Sequence, residues 1–140
     1  MQDISVFIAH HLTLTYALAI VLVALMALEF VRLKKQAVRI DPSKAVQLIN
    51  KENAIVIDVR PADNFKSGHI IDAQSLPGNS LTENPKKIER FRAKPLIIVC
   101  TNGIESQKIA STLLKQGFNA YSLAGGISAW STAEMPLIKG

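Results

Sequence analysis

The sequence predicts a small α/β domain, built on a parallel sheet with helices on both faces and placed behind one apolar helix. Three observations carry this. Residues 12–28, LTLTYALAIVLVALMAL, run for 17 residues without a charge. Two short β-branched runs, AIVIDV at 54–59 and PLIIVC at 95–100, are almost continuously apolar, as strands covered on both faces are. Around these runs apolar residues recur at helical spacing, and strands alternating with helices imply parallel pairing.

Composition bounds the function. The 140 residues fit one ordinary domain and a short extra segment. A single Cys excludes an intramolecular disulfide, and no Cys/His spacing matches a zinc site. A hydrophobic share of 49% excludes a wholly disordered chain. The net charge of +5 is spread out, +2 in residues 1–39 and +3 in 40–140. The pI of 9.5 therefore reflects scattered lysines. With aromatics at 6%, neither a basic stripe nor a base-stacking platform is expected, and no nucleic-acid partner.

The uncharged stretch spans about 25 Å as a helix, near the lower limit for a bilayer core. Phe30, Val31 and Leu33 extend it on one side, and Ile4, Val6, Phe7 and Ile8 on the other; Glu29 lies near one end. The rest of the chain is too small to bury such a helix on every side. A cleaved signal peptide would begin with a basic segment, and residues 2–11 hold no Lys or Arg. The expectation is an uncleaved anchor, with residues 1–11 a tail, 12–31 a transmembrane helix, 32–38 a basic linker and 39–140 the domain. Arg32, Lys34, Lys35 and Arg39 follow the span and no basic residue precedes it, which puts the domain in the cytoplasm. A lone reduced Cys suits that compartment. His10 and His11, at the outer boundary, lack the further ligands a metal would need.

Within the domain, weaker strands are expected at residues 37–40, 73–76 and 120–123. Asp41 is a good N-cap, with Pro42 at the first helical position and Ala45, Val46, Leu48 and Ile49 on one stripe. Residues 84–91 form a short charged helix candidate. Residues 106–116 carry Ile109, Ala110, Leu113 and Leu114 at helical spacing, with Gly117 as a natural stop. Residues 126–132 add a last short helix.

In parallel α/β sheets ligands collect at the carboxyl ends of the strands, where the only Cys falls. Cys100 ends a strand; Thr101, Asn102, Gly103, Ile104 and Glu105 follow, and Ser106 is expected to open a helix. Backbone amides of such a loop, with the helix dipole, can converge on an anion and favour a reactive thiolate. An inert cysteine closing a core strand reads equally well from position alone.

Three segments then carry a resemblance. Asp58-Val59-Arg60, with Phe65 and the run Gly68-His69-Ile70-Ile71-Asp72-Ala73, is similar to the D-V-R…F-x-x-G-H-I-x-x-A signature of rhodanese (sulfurtransferase) domains. Cys100-Thr101-Asn102-Gly103 followed by Ser106 resembles their active loop, C-x-x-G-x-R-S. Leu123-Ala124-Gly125-Gly126-Ile127-Ser128-Ala129-Trp130 resembles their L-x-G-G-I-x-A-W. The resemblance covers residues 37–137, and with the leading span the whole chain resembles a membrane-anchored single-domain bacterial rhodanese. It implies a Cys100 that accepts a sulfane sulfur as a persulfide and passes it to a thiophilic acceptor, with no metal or organic cofactor. Residues 101–106 would line the substrate site. The donor would be a small sulfur compound or a protein persulfide, and the enzyme would sit on the inner membrane facing the cytoplasm.

Two positions depart from the pattern. Many members have Arg where this loop has Glu105, and that Arg helps hold an anionic donor such as thiosulfate. Many also have Glu where this chain has Asn64, a partner for Arg60. The alternative function is a non-catalytic module that recruits a partner to the membrane, which fold alone does not exclude. A phosphatase on the same fold would need a longer loop with a phosphate-gripping Arg, and this loop has neither. The remaining motif residues have structural expectations: Asp58 bonding nearby backbone, Arg60 pairing with a local carboxylate, His69 hydrogen-bonded in a turn, Gly125 and Gly126 at positive φ or in close packing, Phe118 and Trp130 in the core.

Overall fold

The computed structural model describes residues 2–34 and 36–140, which fall into an N-terminal helical unit and an α/β unit. In the first, α1 (Gln2–His10) is followed by α2 (Leu12–Lys34). Residues 2–10 are thus helical where the sequence reading expected a tail. Asp3 sits in the first turn, where it complements the dipole. Hydrogen bonding continues across the junction, from His11 N–H to the Phe7 carbonyl at 3.1 Å and from Thr15 N–H to the His11 carbonyl at 2.9 Å. Leu12–Leu33 is long and apolar enough to cross a membrane, and none of its apolar window is buried. The expected linker at 32–38 is shorter: α2 runs on through Lys34 and a strand starts at Val38. Arg and Lys are good helix formers and prolong the helix past its apolar stretch. Lys35 lies outside the described residues.

The second unit runs β1 (Val38–Ile40), α3 (Pro42–Glu52), β2 (Ile55–Asp58), α4 (Ala62–Ser67), β3 (Gln74–Ser75), α5 (Gly78–Glu83), a 3₁₀ segment (Pro85–Phe91), β4 (Leu96–Val99), α6 (Ile104–Lys115), β5 (Ala120–Leu123) and α7 (Gly126–Thr132). Helix α3 starts as expected: Asp41 accepts the Lys44 N–H at 2.7 Å, Pro42 follows, and Asn53 ends the helix in the left-handed region. Gly117, at φ +91, stops α6. The short α4 and α5 escape a reading based on periodicity, because six residues are too few to show one. Residues 85–91 wind as a 3₁₀ segment rather than an α-helix. Helix α6 opens at Ile104, two residues before the expected Ser106.

The sheet is parallel throughout, in the order β1-β5-β4-β2-β3. Strand β4 lies at its centre and is fully buried. Its side chains alternate between two cores. Leu96, Ile98 and Cys100 face the core that contains Leu81, Ile88, Ile109, Leu113 and Phe118, from α5, the 3₁₀ segment, α6 and the loop after it. Ile97 and Val99 face Ala45, Leu48 and Trp130, from α3 and α7. Each such aliphatic side chain contributes about 1.5–3 kcal/mol on burial, so the strand that ends at Cys100 is the best anchored in the sheet. The chain leaves β2 toward β3 on one side and β4 toward β5 on the other. The crevice between the carboxyl ends of β2 and β4 is therefore a topological switch point, and Cys100, at the end of β4, stands beside it.

Candidate functional site

Cys100 follows β4 directly; the residue is 2% exposed and its thiol is free. The loop after it is clamped from the outside by α7. The Cys100 carbonyl accepts the Ile127 N–H at 2.9 Å, and the Thr101 carbonyl accepts the Ser128 N–H at 3.2 Å and the Ser128 hydroxyl at 3.0 Å. With these carbonyls turned toward α7, the later amides of the loop turn inward. Gly103 N–H donates to Cys100 Sγ at 3.0 Å and Ser106 N–H at 3.4 Å. The turn needs Gly103 at φ +89, where a Cβ would meet the Gly125 nitrogen at 2.8 Å. Gly126, at φ +59, carries a hydrogen where a Cβ would collide with the Cys100 carbonyl oxygen.

Two side chains complete the surroundings of the sulfur. Ser106 Oγ lies 3.3 Å from Sγ, and Asn102 Oδ1 at 3.9 Å. Asn102 Oδ1 also accepts the Ile104 N–H at 3.1 Å. That Asx turn satisfies a first-turn amide of α6 and starts the helix two residues early. Ser106, in the first turn of α6, is therefore directed inward, and its hydroxyl meets that of Ser122 at 2.9 Å. Both serines are 0% exposed. A thiolate at Sγ has two amide donors and one hydroxyl donor, with the amino-terminal end of α6 behind them.

Of the residues expected to line the site, Gly103 and Ser106 donate to the sulfur and Asn102 reaches its edge. Thr101 serves through its carbonyl, while Ile104 is exposed on the rim. Glu105 is exposed as well, and its carboxylate lies over Gly78, where an added Cβ would be 2.7 Å from Oε1. Ser122 and Ser128 escaped the sequence reading. A polar residue at the inward parity of a buried strand was the available signal for Ser122.

The other motif residues tie together the segment that follows β2. Asp58 accepts the backbone N–H of Arg60 at 3.0 Å and its Nη2 at 2.7 Å, and the same nitrogen donates to the Gly68 carbonyl at 2.7 Å. Asp58 is thus the carboxylate that pairs with Arg60, and Asn64, on α4, stays exposed to solvent. His69 stacks on Phe65 with centroids 3.8 Å apart, and its Nδ1 lies 2.9 Å from the Phe65 carbonyl. It is a hydrogen-bonded structural residue. Among the described residues no three His, Cys, Asp or Glu side chains gather in a way that could hold a metal.

Residues 41–133 match the rhodanese-like domain family. The uncharacterized protein YibN of Escherichia coli (strain K12) is 34% identical over 142 residues, covering 100% of this chain and 99% of its own length. The thiosulfate sulfurtransferase GlpE of Pseudomonas savastanoi pv. phaseolicola is 39% identical over 93 residues, which cover 66% of this chain and 85% of that protein. The crystal structure of a rhodanese-related protein from Thermoplasma volcanium superposes with a TM-score of 0.67 at 25% identity, over 74% of this chain and 99% of that one.

Proposed function

The chain belongs to the rhodanese-like domain family, and from that premise we propose that it is a membrane-tethered sulfurtransferase that carries sulfur as a persulfide on Cys100. Similarity to the thiosulfate sulfurtransferases supports a sulfurtransferase-type role. The observation that carries the finer reading is the convergence of the Gly103 amide, the Ser106 amide and the Ser106 hydroxyl on one free sulfur. An inert core cysteine has no use for two amide donors and a hydroxyl that can donate once the sulfur is a thiolate.

In the first half-reaction the Cys100 thiolate attacks the sulfane sulfur of a donor. A bond forms between Sγ and that sulfur, and the bond to the rest of the donor breaks, its electron pair leaving with the departing group. The enzyme then holds Cys–S–S⁻. In the second, a thiophilic acceptor attacks the outer sulfur and Sγ departs as a thiolate. The fixed amides stabilise negative charge on the sulfurs in both states without reorganising. The chemistry calls for no cofactor. Leu12–Leu33 supplies the tether, and the basic residues after it favour a cytoplasmic domain.

The test is a mass spectrum of the full-length protein after exposure to a sulfane donor. A gain of one sulfur on the Cys100 peptide, absent in Cys100→Ser, supports the proposal. An unmodified Cys100 under donors of every charge leaves the recruiting module, a reading favoured by Glu105 in place of the usual Arg.

A further inference from the structure

We propose that Ser122 is a positioning residue for the Cys100 sulfur, acting through the Ser106 hydroxyl; the proposal rests on the sulfurtransferase reading above. Ser122 lies on β5 beside Ile98 of β4, on the same face as Cys100, and it touches no part of the loop except Ser106 in the hydrogen bonds described.

The assignment follows from counting protons. A hydroxyl has one proton and two lone pairs. When Cys100 is a thiolate, Sγ only accepts, so the Ser106 proton lies on the sulfur. The 2.9 Å bond between the two hydroxyls then needs a proton, and only Ser122 has one to give. The chain therefore runs from Ser122 to Ser106 to Sγ. When the sulfur is a neutral thiol, its proton can go to Ser106 Oγ and the Ser106 proton to Ser122, so the chain runs the other way. In both directions each hydroxyl keeps at least one bond, but only the thiolate direction uses the Ser122 proton in the hydrogen bonds described, and each bond polarises the next. The relay thus follows the charge on Sγ.

That charge changes twice in each cycle. It moves to the outer sulfur when Sγ bonds to the sulfane sulfur, leaving Sγ with no proton to give and little charge to receive one, and it returns when the acceptor takes the outer sulfur and Sγ departs with the electron pair. Departure is faster when the thiolate left behind is better stabilised. Ser122 therefore assists discharge of the persulfide more than loading.

The test uses the full-length protein in detergent, with Ser122→Ala, Ser106→Ala, the double variant and Ser122→Cys. Iodoacetamide alkylation is followed on the Cys100 peptide at about pH 7 and at about pH 10, above the ordinary thiol range. Discharge of the persulfide to cyanide is timed separately. Ser122→Ala should slow alkylation at the lower pH and persulfide discharge by about threefold to tenfold, leave alkylation at the higher pH unchanged, and add nothing in the Ser106→Ala background. Additive losses, equal losses at both pH values, or wild-type rates in Ser122→Ala overturn the proposal. If Ser122→Ala does not fold, Ser122→Cys, near in size but a weak donor, decides the matter: slowing at the lower pH alone supports the relay, and wild-type rates overturn it. Alkylation needs no sulfur donor. A protein that never forms a persulfide therefore sinks the sulfurtransferase reading while the cycle still reports on Ser122.

Discussion

The main-chain carbonyl of Cys100 accepts the Ile127 amide proton at 2.9 Å, so the amino-terminal turn of α7 holds the far side of the loop whose inner side holds the sulfur. The loop is a strip of peptide units with carbonyls facing α7 and later amides facing Sγ. The two sets of groups belong to neighbouring peptide units, joined by the turn in which Gly103 takes φ +89, so α7 fixes one end of a short turn whose other end carries the donors.

Gly126 is the point where this arrangement tolerates no side chain. Its φ of +59 is costly for any other residue, and a Cβ there would run into the Cys100 carbonyl. Gly126→Ala should cost roughly 2 to 4 kcal/mol of stability. In the protein that remains folded, the loop should be pushed away from α7 and Cys100 alkylation should change markedly. Chemical denaturation and alkylation rates check the two effects. Unchanged stability would mean that α7 can back away without loss.

The Asp58–Arg60 pair is the second structural dependency. Side-chain exposures of 1% and 8% put both charges out of water, 2.7 Å apart. Removing one partner strands the other, at about 3–5 kcal/mol. Asp58→Ala should lose that much in urea denaturation. The double change Asp58→Ala with Arg60→Met should lose less than Asp58→Ala alone, because it leaves no unpaired charge.

Much of this was legible in the residues. Continuous β-branched runs mark β2 and β4 because both faces of a central parallel strand are covered, and a lone Cys at the end of β4 marks the crevice by topology. Gly117, Gly125 and Gly126 were readable as positions of positive φ. Helices α4 and α5 were not, since a single turn has no period. The two-residue shift in the start of α6 arises from the Asn102 side chain capturing the Ile104 amide, a contest between side chain and helix that hydrophobic spacing does not register. Ser122 was hidden for a related reason: its partner, Ser106, lies on another element, and only the β4–β5 pairing brings the two together.

Four basic residues, Arg32, Lys34, Lys35 and Arg39, follow the apolar helix and none precedes it. A cytoplasm-active reporter fused to the carboxyl terminus should therefore be active, and an export-dependent reporter silent. The opposite pattern would place Cys100 in an oxidising compartment and remove the orientation from the proposed function.

Glu105 stands where thiosulfate-using rhodaneses that this loop resembles carry an Arg. Its carboxylate is exposed in the first turn of α6 and leans over Gly78, one residue before a serine that bonds the sulfur. A dianion approaching the loop amides meets a negative charge instead of a guanidinium. Repulsion and the lost bidentate contact together correspond to roughly two decades in kcat/KM for thiosulfate. A neutral donor or a protein persulfide carries no such penalty. Thiosulfate:cyanide activity should be weak in the wild type and rise by roughly that factor in Glu105→Arg, with the gain shrinking at high salt because the site is open to screening. Glu105→Gln separates the two contributions, since it removes the repulsion without adding the guanidinium, and its gain should be intermediate. The room over Gly78 matters here: an Arg that follows the path of Glu105 would lie against α5 rather than over the sulfur. An unimproved Glu105→Arg beside an improved Glu105→Gln would show that repulsion alone sets donor choice. If neither variant gains, and the wild type already uses thiosulfate efficiently, Glu105 plays no part in selecting the donor.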